Sequence, residues 1–165
     1  MKGFTVYFAV LVASLALAIG FAIYDLVSRE LALSAVATQS QYAIYAADTG
    51  VECALYWDFK APVLNGVRSA FGTSSSASWA PSGIDCAGVD ITSIPWVHSE
   101  TTLLAATTTF TLRLGGGTDS DPCVDVEVGK NDNGTTRSTI VNAYGHNNCA
   151  TTGILRVERQ LQVNY

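Results

Sequence analysis

Residues 4–24 read FTVYFAVLVASLALAIGFAIY, and this stretch decides the architecture. No side chain in it is charged, and only Thr5, Ser14, Gly20 and the tyrosines Tyr7 and Tyr24 dilute its apolar character. A helix rises about 1.5 Å per residue, so about 20 such residues cover the roughly 30 Å of a bilayer's hydrocarbon. Lys2 precedes the run, and Asp25, Arg29 and Glu30 follow it. That asymmetry predicts a single crossing with the N-terminus in the cytoplasm and the remainder outside. A cleaved secretory signal has a shorter apolar core with a small-residue site just behind it. Here the small-x-small triplets are misplaced: Ala16-Leu17-Ala18 lies inside the run and Ala35-Val36-Ala37 well beyond it.

A better processing site precedes the run, between Gly3 and Phe4. Lys2-Gly3-Phe4-Thr5 resembles the processing motif of type IV prepilins and pseudopilins. The resemblance implies a three-residue leader (1–3), cut after Gly3 by a prepilin peptidase that also methylates the new N-terminal Phe4. It implies that the helix is kept, first as a membrane anchor among lipids and later as packed filament core. Without the resemblance, the same residues describe a signal anchor that is never cut.

The helix is expected to run on. From Tyr24 to Asp58 there is no proline, and the only glycine is Gly50. Leu33, Ala37, Ser40, Ile44, Ala47, Val51 and Leu55 recur at steps of three and four, which marks one helical face. We therefore read one helix over 4–58, roughly 80 Å long. Residues 4–25 are apolar all round, and 26–58 are amphipathic, with a domain packed on one side. Ser40–Trp57 resembles the end of the N-terminal helix in PilX-like minor pilins, in its Ala46-Ala47-Asp48 step followed by Val51 and Glu52. Taken alone, Asp48 and Glu52 read as solvated surface acids.

One position departs from that family. Most major pilins carry a glutamate as the fifth mature residue, thought to pair with a neighbouring subunit's terminal amine. Cutting after Gly3 puts Phe8 there. A phenylalanine cannot neutralise a buried amine, which is costly to leave unpaired. Within the family this resembles tip pseudopilins and some minor pilins, so the resemblance implies a tip or priming subunit over a shaft subunit. It also implies partners: the peptidase, an inner-membrane assembly platform, and other pilin subunits through the N-terminal helix. Thr5, Phe8, Ala13, Ser14, Ala16 and Gly20 are the candidate assembly residues, the small ones (with Ala18) permitting close helix approach.

At 165 residues the chain has room for one soluble domain beside its anchor. With 9 basic against 14 acidic residues and no basic cluster, it lacks the electrostatic footprint of a nucleic-acid binder. Cys53, Cys86, Cys123 and Cys149 form an even set on the non-cytoplasmic side and read as two disulfides. Three connectivities are open. Cys53–Cys86 with Cys123–Cys149 is favoured because each pair joins neighbouring segments. Closing loops of roughly 30 residues adds about 3 to 4 kcal/mol each in the chain-entropy model. There is no C-x-x-C and there are 2 histidines, which argues against zinc.

Residues 59–106 read as a helix-to-sheet loop region, punctuated by Pro62, Pro81 and Pro95 and by a serine-rich run at 71–78, with room for one short strand within 84–94. Residues 107–165 read as an antiparallel sheet. Phe110, Leu112 and Leu114 alternate with Thr109, Thr111 and Arg113; Val124, Val126 and Val128 alternate with Asp125 and Glu127. Asn131-Asp132-Asn133-Gly134 is a turn, 135–144 a third strand, and Leu155, Val157, Leu161 and Val163 define a fourth. Arg159 falls on the apolar face, which calls for a bulge or a buried partner. The predicted fold is α+β: a long helix, its first half transmembrane, covering a sheet of about four strands. Residues 139–145, Cys149 and 156–159 resemble the closing strands of PilX-like pilins.

Candidate chemistry is thin. There is no G-x-S-x-G elbow, and His98 and His146 fall in loop-like sequence, so no enzyme activity and no cofactor are expected. Asp119-Ser120-Asp121 and Asn131–Gly134 carry oxygen ligands but no full calcium loop, so turn roles are expected and no metal site. Asn133-Gly134-Thr135 is a formal glycosylation sequon. Trp57 is expected in the core, while Trp79 and Trp96 stay open. The expected location is a single-pass membrane protein that becomes part of a cell-surface filament. The rivals are an anchored adhesive β-domain that never polymerises and an exported hydrolase on an uncut anchor.

Overall fold

A computed structural model describes residues 2–59, 70–72, 84–90, 97–102, 105–132, 135–151 and 155–165, with side chains described from Gly3 onward but not for 97–102. The expectations for Pro62, the serine run beyond Gly72, Trp79, Pro81, Pro95, Trp96, the His98 side chain and Asn133-Gly134 lie outside the described residues.

One α-helix, α1, runs Lys2–Phe59 over 58 residues. The chain divides into two compact units, Met1–Thr38 and Gln39–Tyr165. The first is helix alone. Every large apolar side chain from Phe4 to Leu33 is at least 40% exposed. This helix is long and apolar enough to cross a membrane. Asp25 and Arg29 pair at 3.0 Å one turn apart, both exposed, so their attraction is worth only a few tenths of a kcal/mol.

The second unit packs Gln39–Phe59 of α1 on an antiparallel sheet, giving the α+β class. A two-stranded ribbon pairs β1 (Asp85–Cys86) with β2 (Val89–Asp90). Its turn holds Ala87 and Gly88 at φ 54° and 77°, the left-handed pair that suits a two-residue hairpin. The main sheet has five strands in chain order: β3 (Val97–Thr102), β4 (Ala105–Arg113), β5 (Cys123–Asp132), β6 (Arg137–His146) and β7 (Glu158–Asn164). The fifth strand is β3, inside the segment read from sequence as loop. Its residues VHSETT show no apolar alternation; backbone pairing to the free edge of β4 makes it a strand. At the other end β7 begins at Glu158, so Leu155 and Val157 precede it.

The register sets the inner face in rows. Leu112, Val124, Gly145 and Arg159 form one; Phe110, Val126, Ala143 and Leu161 the next; Thr108, Val128, Val141 and Val163 a third. Across them lies a helix face of very small residues: Ala43, Ala46, Ala47, Gly50 and Ala54, with Val51 and Cys53 beside them. This corrects the stripe read from sequence. Leu33 is 69% exposed and Ile44 is 43% exposed. The helix sits so close that contact falls to the residues with the least side chain. A Cβ on Gly145 would lie 2.1 Å from the Ala43 carbonyl oxygen, and one on Gly50 would lie 2.7 Å from a Val124 methyl.

Disulfides join Cys53 to Cys86 and Cys123 to Cys149, with Cα separations of 5.6 and 5.5 Å. The first fastens the ribbon to α1, where Trp57 Nε1 also donates to the Asp85 carbonyl at 3.0 Å. Trp57 is therefore half-buried with its indole N–H satisfied. Phe71 stacks on Phe110 at 6.1 Å between centroids.

Candidate functional site

Two places bear on function: the exposed helix of the first unit, and the seam that holds α1 to the sheet in the second.

On the helix, Gly3 and Phe4 sit in its first turns, and Phe4 is 75% exposed. Ala13, Ala16 and Gly20 follow one another at steps of three and four and so share a face. Beside Gly20 the surface opens into a shallow apolar groove lined by Ala16, Leu17, Gly20, Phe21 and Tyr24. Nothing stands within 4 Å of where a Cβ on Gly20 would be. Ser14 donates to the Leu11 carbonyl at 2.8 Å, which removes a polar group from an otherwise apolar surface. Phe8 is exposed. Such a surface is stable only against hydrocarbon or other apolar side chains.

At the seam, three polar groups fix where α1 meets the sheet. Arg159 Nε donates to Ser40 Oγ at 2.8 Å. The β6–β7 register runs unbroken through Arg159, and its side chain is exposed, so the expected bulge or buried partner is replaced by a surface contact to the helix. Asn147 is buried. Its Nδ2 donates to Gln39 Oε1 at 2.8 Å and to the Leu155 carbonyl at 3.1 Å, and its Oδ1 accepts from the Val157 amide at 2.7 Å. One side chain thus ties helix, β6 end and the approach to β7. Asn147→Ala leaves these partners unmet in a buried place and is expected to cost roughly 2 to 3 kcal/mol, read as a lowered midpoint in denaturant at unchanged slope.

At the other end of the seam, Asp58 forms an ion pair with Lys130 and accepts from Tyr165 Oη at 2.6 Å. Side-chain exposure is 5% for Asp58 and 15% for Lys130. Tyr165 packs against Phe59 at 4.8 Å and pairs its backbone with Thr139. Burial, with the Asp58 carboxylate beside it, holds the Tyr165 phenol well above its ordinary range. Being raised, it supports the fold below about pH 10, where the unfolded phenol keeps its proton, and this support fades as pH climbs further. Tyr165→Phe is therefore expected to lose stability at pH 8 and to flatten the alkaline limb of the stability curve.

The candidate calcium acids serve turns. Asp119 pairs with Arg113 at 2.6 Å, and Asp132 with Arg137 at 2.6 Å. Asp121 accepts from the Thr118 amide and hydroxyl, both at 2.9 Å, and the amide contact leads in holding its carboxyl below the usual range. Among the described residues no group of three or more His, Cys, Asp and Glu could hold a metal ion. His146, expected in a loop, ends β6 with its side chain buried between Asp125 (Nε2 to Oδ2, 3.2 Å) and Glu158 (Nδ1 to Oε2, 3.6 Å). Carboxylates face both ring nitrogens, so neither is turned to a nucleophile. Asp48 and Glu52 are both exposed.

Asn147 and the Asp58–Lys130–Tyr165 cluster escaped the sequence reading. Lys130 carried a signal: it continues the inward positions Val124, Val126 and Val128. Asn147 carried none, because its role depends on a helix residue far away in sequence. Comparison with protein-family models, curated proteins and solved structures finds no match.

Proposed function

We propose that the chain is a structural subunit of a type IV pilus or a type II secretion-like filament. A prepilin peptidase cuts it after Gly3, and it assembles through its N-terminal helix. The observation that carries this reading is the sequence Lys2-Gly3-Phe4-Thr5 in the first turns of one unbroken helix. That helix begins as an exposed apolar rod and ends as an alanine-lined seam on an antiparallel sheet. Before assembly the apolar part rests in lipid, N-terminus inside and domain outside. Assembly exchanges lipid for helix–helix contact, and the groove beside Gly20 suits a close neighbour. The disulfides suit an oxidising, extracytoplasmic setting. Phe8 in place of a carboxylate favours a tip or priming position, where no amine from a subunit above needs neutralising.

The test is fractionation. Filaments sheared from the native host and purified should contain this chain at far lower copy number than the main subunit. Abundance equal to the main subunit would contradict the tip assignment. A chain found wholly in the membrane fraction of cells that bear filaments would contradict assembly and favour an anchored domain.

A further inference from the structure

The inward rows of the sheet end at a position that carries an amine. The register places Lys130 between Ala106 and Thr139, which are buried, and Tyr165 pairs its backbone beyond Thr139. From this row the Lys130 side chain reaches the end of α1 and meets Asp58 Oδ1 directly. The other carboxylate oxygen, Oδ2, accepts from Tyr165 Oη at 2.6 Å. The Thr139 side chain hydrogen-bonds the same phenol, whose ring packs on Phe59.

This pair differs from the others in the domain. Arg113–Asp119 and Arg137–Asp132 each have an exposed arginine, whereas Lys130 and Asp58 are both withdrawn from water and lie 72 residues apart in sequence. Burial strips solvent from both charges. Asp58 also stands at the C-terminal end of α1, where free carbonyls disfavour an anion. A neutral amide in place of ammonium and carboxylate removes both costs. An amine and a carboxyl group held in contact react at a very high effective concentration. A phenol donating to Oδ2 sits where negative charge develops when the carboxyl carbon is attacked.

We propose that Lys130 and Asp58 join in an intramolecular isopeptide bond. One proton passes within the pair from the Lys130 ammonium to Asp58 Oδ1, leaving a neutral amine and a carboxylic acid. The Nζ lone pair attacks Cγ, and the charge that develops on Oδ2 is held by the Tyr165 hydrogen bond. Oδ1 then leaves as water, carrying the transferred proton and a second one from Nζ. The Nζ–Cγ bond forms, the Cγ–Oδ1 bond breaks, and the two charges cancel without any co-reactant. The partial exposure of Lys130 gives the water a way out. The ion pair described above is the state of the newly folded chain. The inference is independent of the filament reading.

The test is peptide mass spectrometry of the full chain purified in detergent, with its disulfides reduced and capped before digestion by trypsin. Cleavage after Arg29, Lys60, Arg113 and Arg137 places Asp58 in 30–60 and Lys130 in 114–137. The expected product is these two peptides joined, lighter than their sum by one water and uncut at Lys130. It should be absent from Lys130→Arg, which keeps the charge without an acylable amine. Followed by pulse labelling, Tyr165→Phe should form it roughly tenfold or more slowly, as expected for loss of an oxyanion donor. Asn147→Ala, which loosens the far end of the seam, should form it at the parent rate. Recovery of only unjoined peptides cut at Lys130, even after prolonged incubation, would overturn the proposal and leave an ordinary buried ion pair. Joining at another lysine would overturn it too, and parent-like formation in Tyr165→Phe would overturn the step assigned to the phenol.

Discussion

Replacing Gly145 by alanine is expected to unseat α1 from the sheet. The added Cβ would lie 2.1 Å from the Ala43 carbonyl oxygen and 2.4 Å from the Ala47 amide nitrogen. Both are helix backbone and cannot rotate aside. The helix would have to move by an ångström or more. That shift would open the contacts of Ala43, Ala46, Ala47, Gly50 and Ala54 with β5 and β6 together. Overpacking a tight core costs about 1 to 3 kcal/mol, and here relief requires moving a whole element, so about 3 kcal/mol is a lower figure. Gly50→Ala is the instructive contrast. Its Cβ would meet valine methyls of Val124 and Val126 at 2.7 and 2.9 Å, which can shift by small side-chain rotations. It also gains up to about 1 kcal/mol of helix propensity. Thermal melts of the full chain in detergent should rank Gly145→Ala far below Gly50→Ala. Equal melting of the two would contradict so close a seam.

The second large effect is expected at Lys130. Lys130→Met removes the cation from Asp58, whose side chain is 5% exposed, and leaves a buried carboxylate. Breaking such a pair from one side costs about 3 to 5 kcal/mol. The location adds to it: Asp58 is the penultimate residue of α1, where the free carbonyls disfavour an anion. The Tyr165 Oη hydrogen bond compensates only in part. Removing both charges, as Lys130→Met with Asp58→Leu, should recover much of the loss, because the cost lies in the orphaned charge. A double variant as unstable as Lys130→Met would mean that the pair itself, with its packing, holds the helix end.

The helix was readable because nothing in the sequence interrupts it: no proline between Tyr24 and Asp58, and apolar residues on every face of its first half. The strands around Val124–Val128 and Phe110–Leu112 were readable because their alternation is strict. The face that α1 buries was not. Sequence patterns weigh residues by hydrophobic size, and this seam is selected for smallness, so Ile44 was expected inside where Ala43 and Ala46 sit. Strand β3 was hidden because VHSETT has no periodicity of its own and takes its conformation from β4. Arg159 stood out as a charge on the apolar face, and the same rule applied to β5 would have exposed Lys130. His146 was misjudged because Asn147, Asn148 and the nearby Gly145 look like a loop. In fact β6 extends through Gly145 to His146, with Gly145 required by the helix lying across it, and the asparagines follow its end.

The most direct measurement is the mass of the N-terminal peptide of the chain isolated from native membranes. A peptide beginning at N-methylated Phe4 is the predicted result, since the account requires cleavage after Gly3 before the helix can enter a filament. An intact chain beginning at Met1, in cells with active prepilin peptidase, would contradict the account and leave an anchored domain that does not assemble.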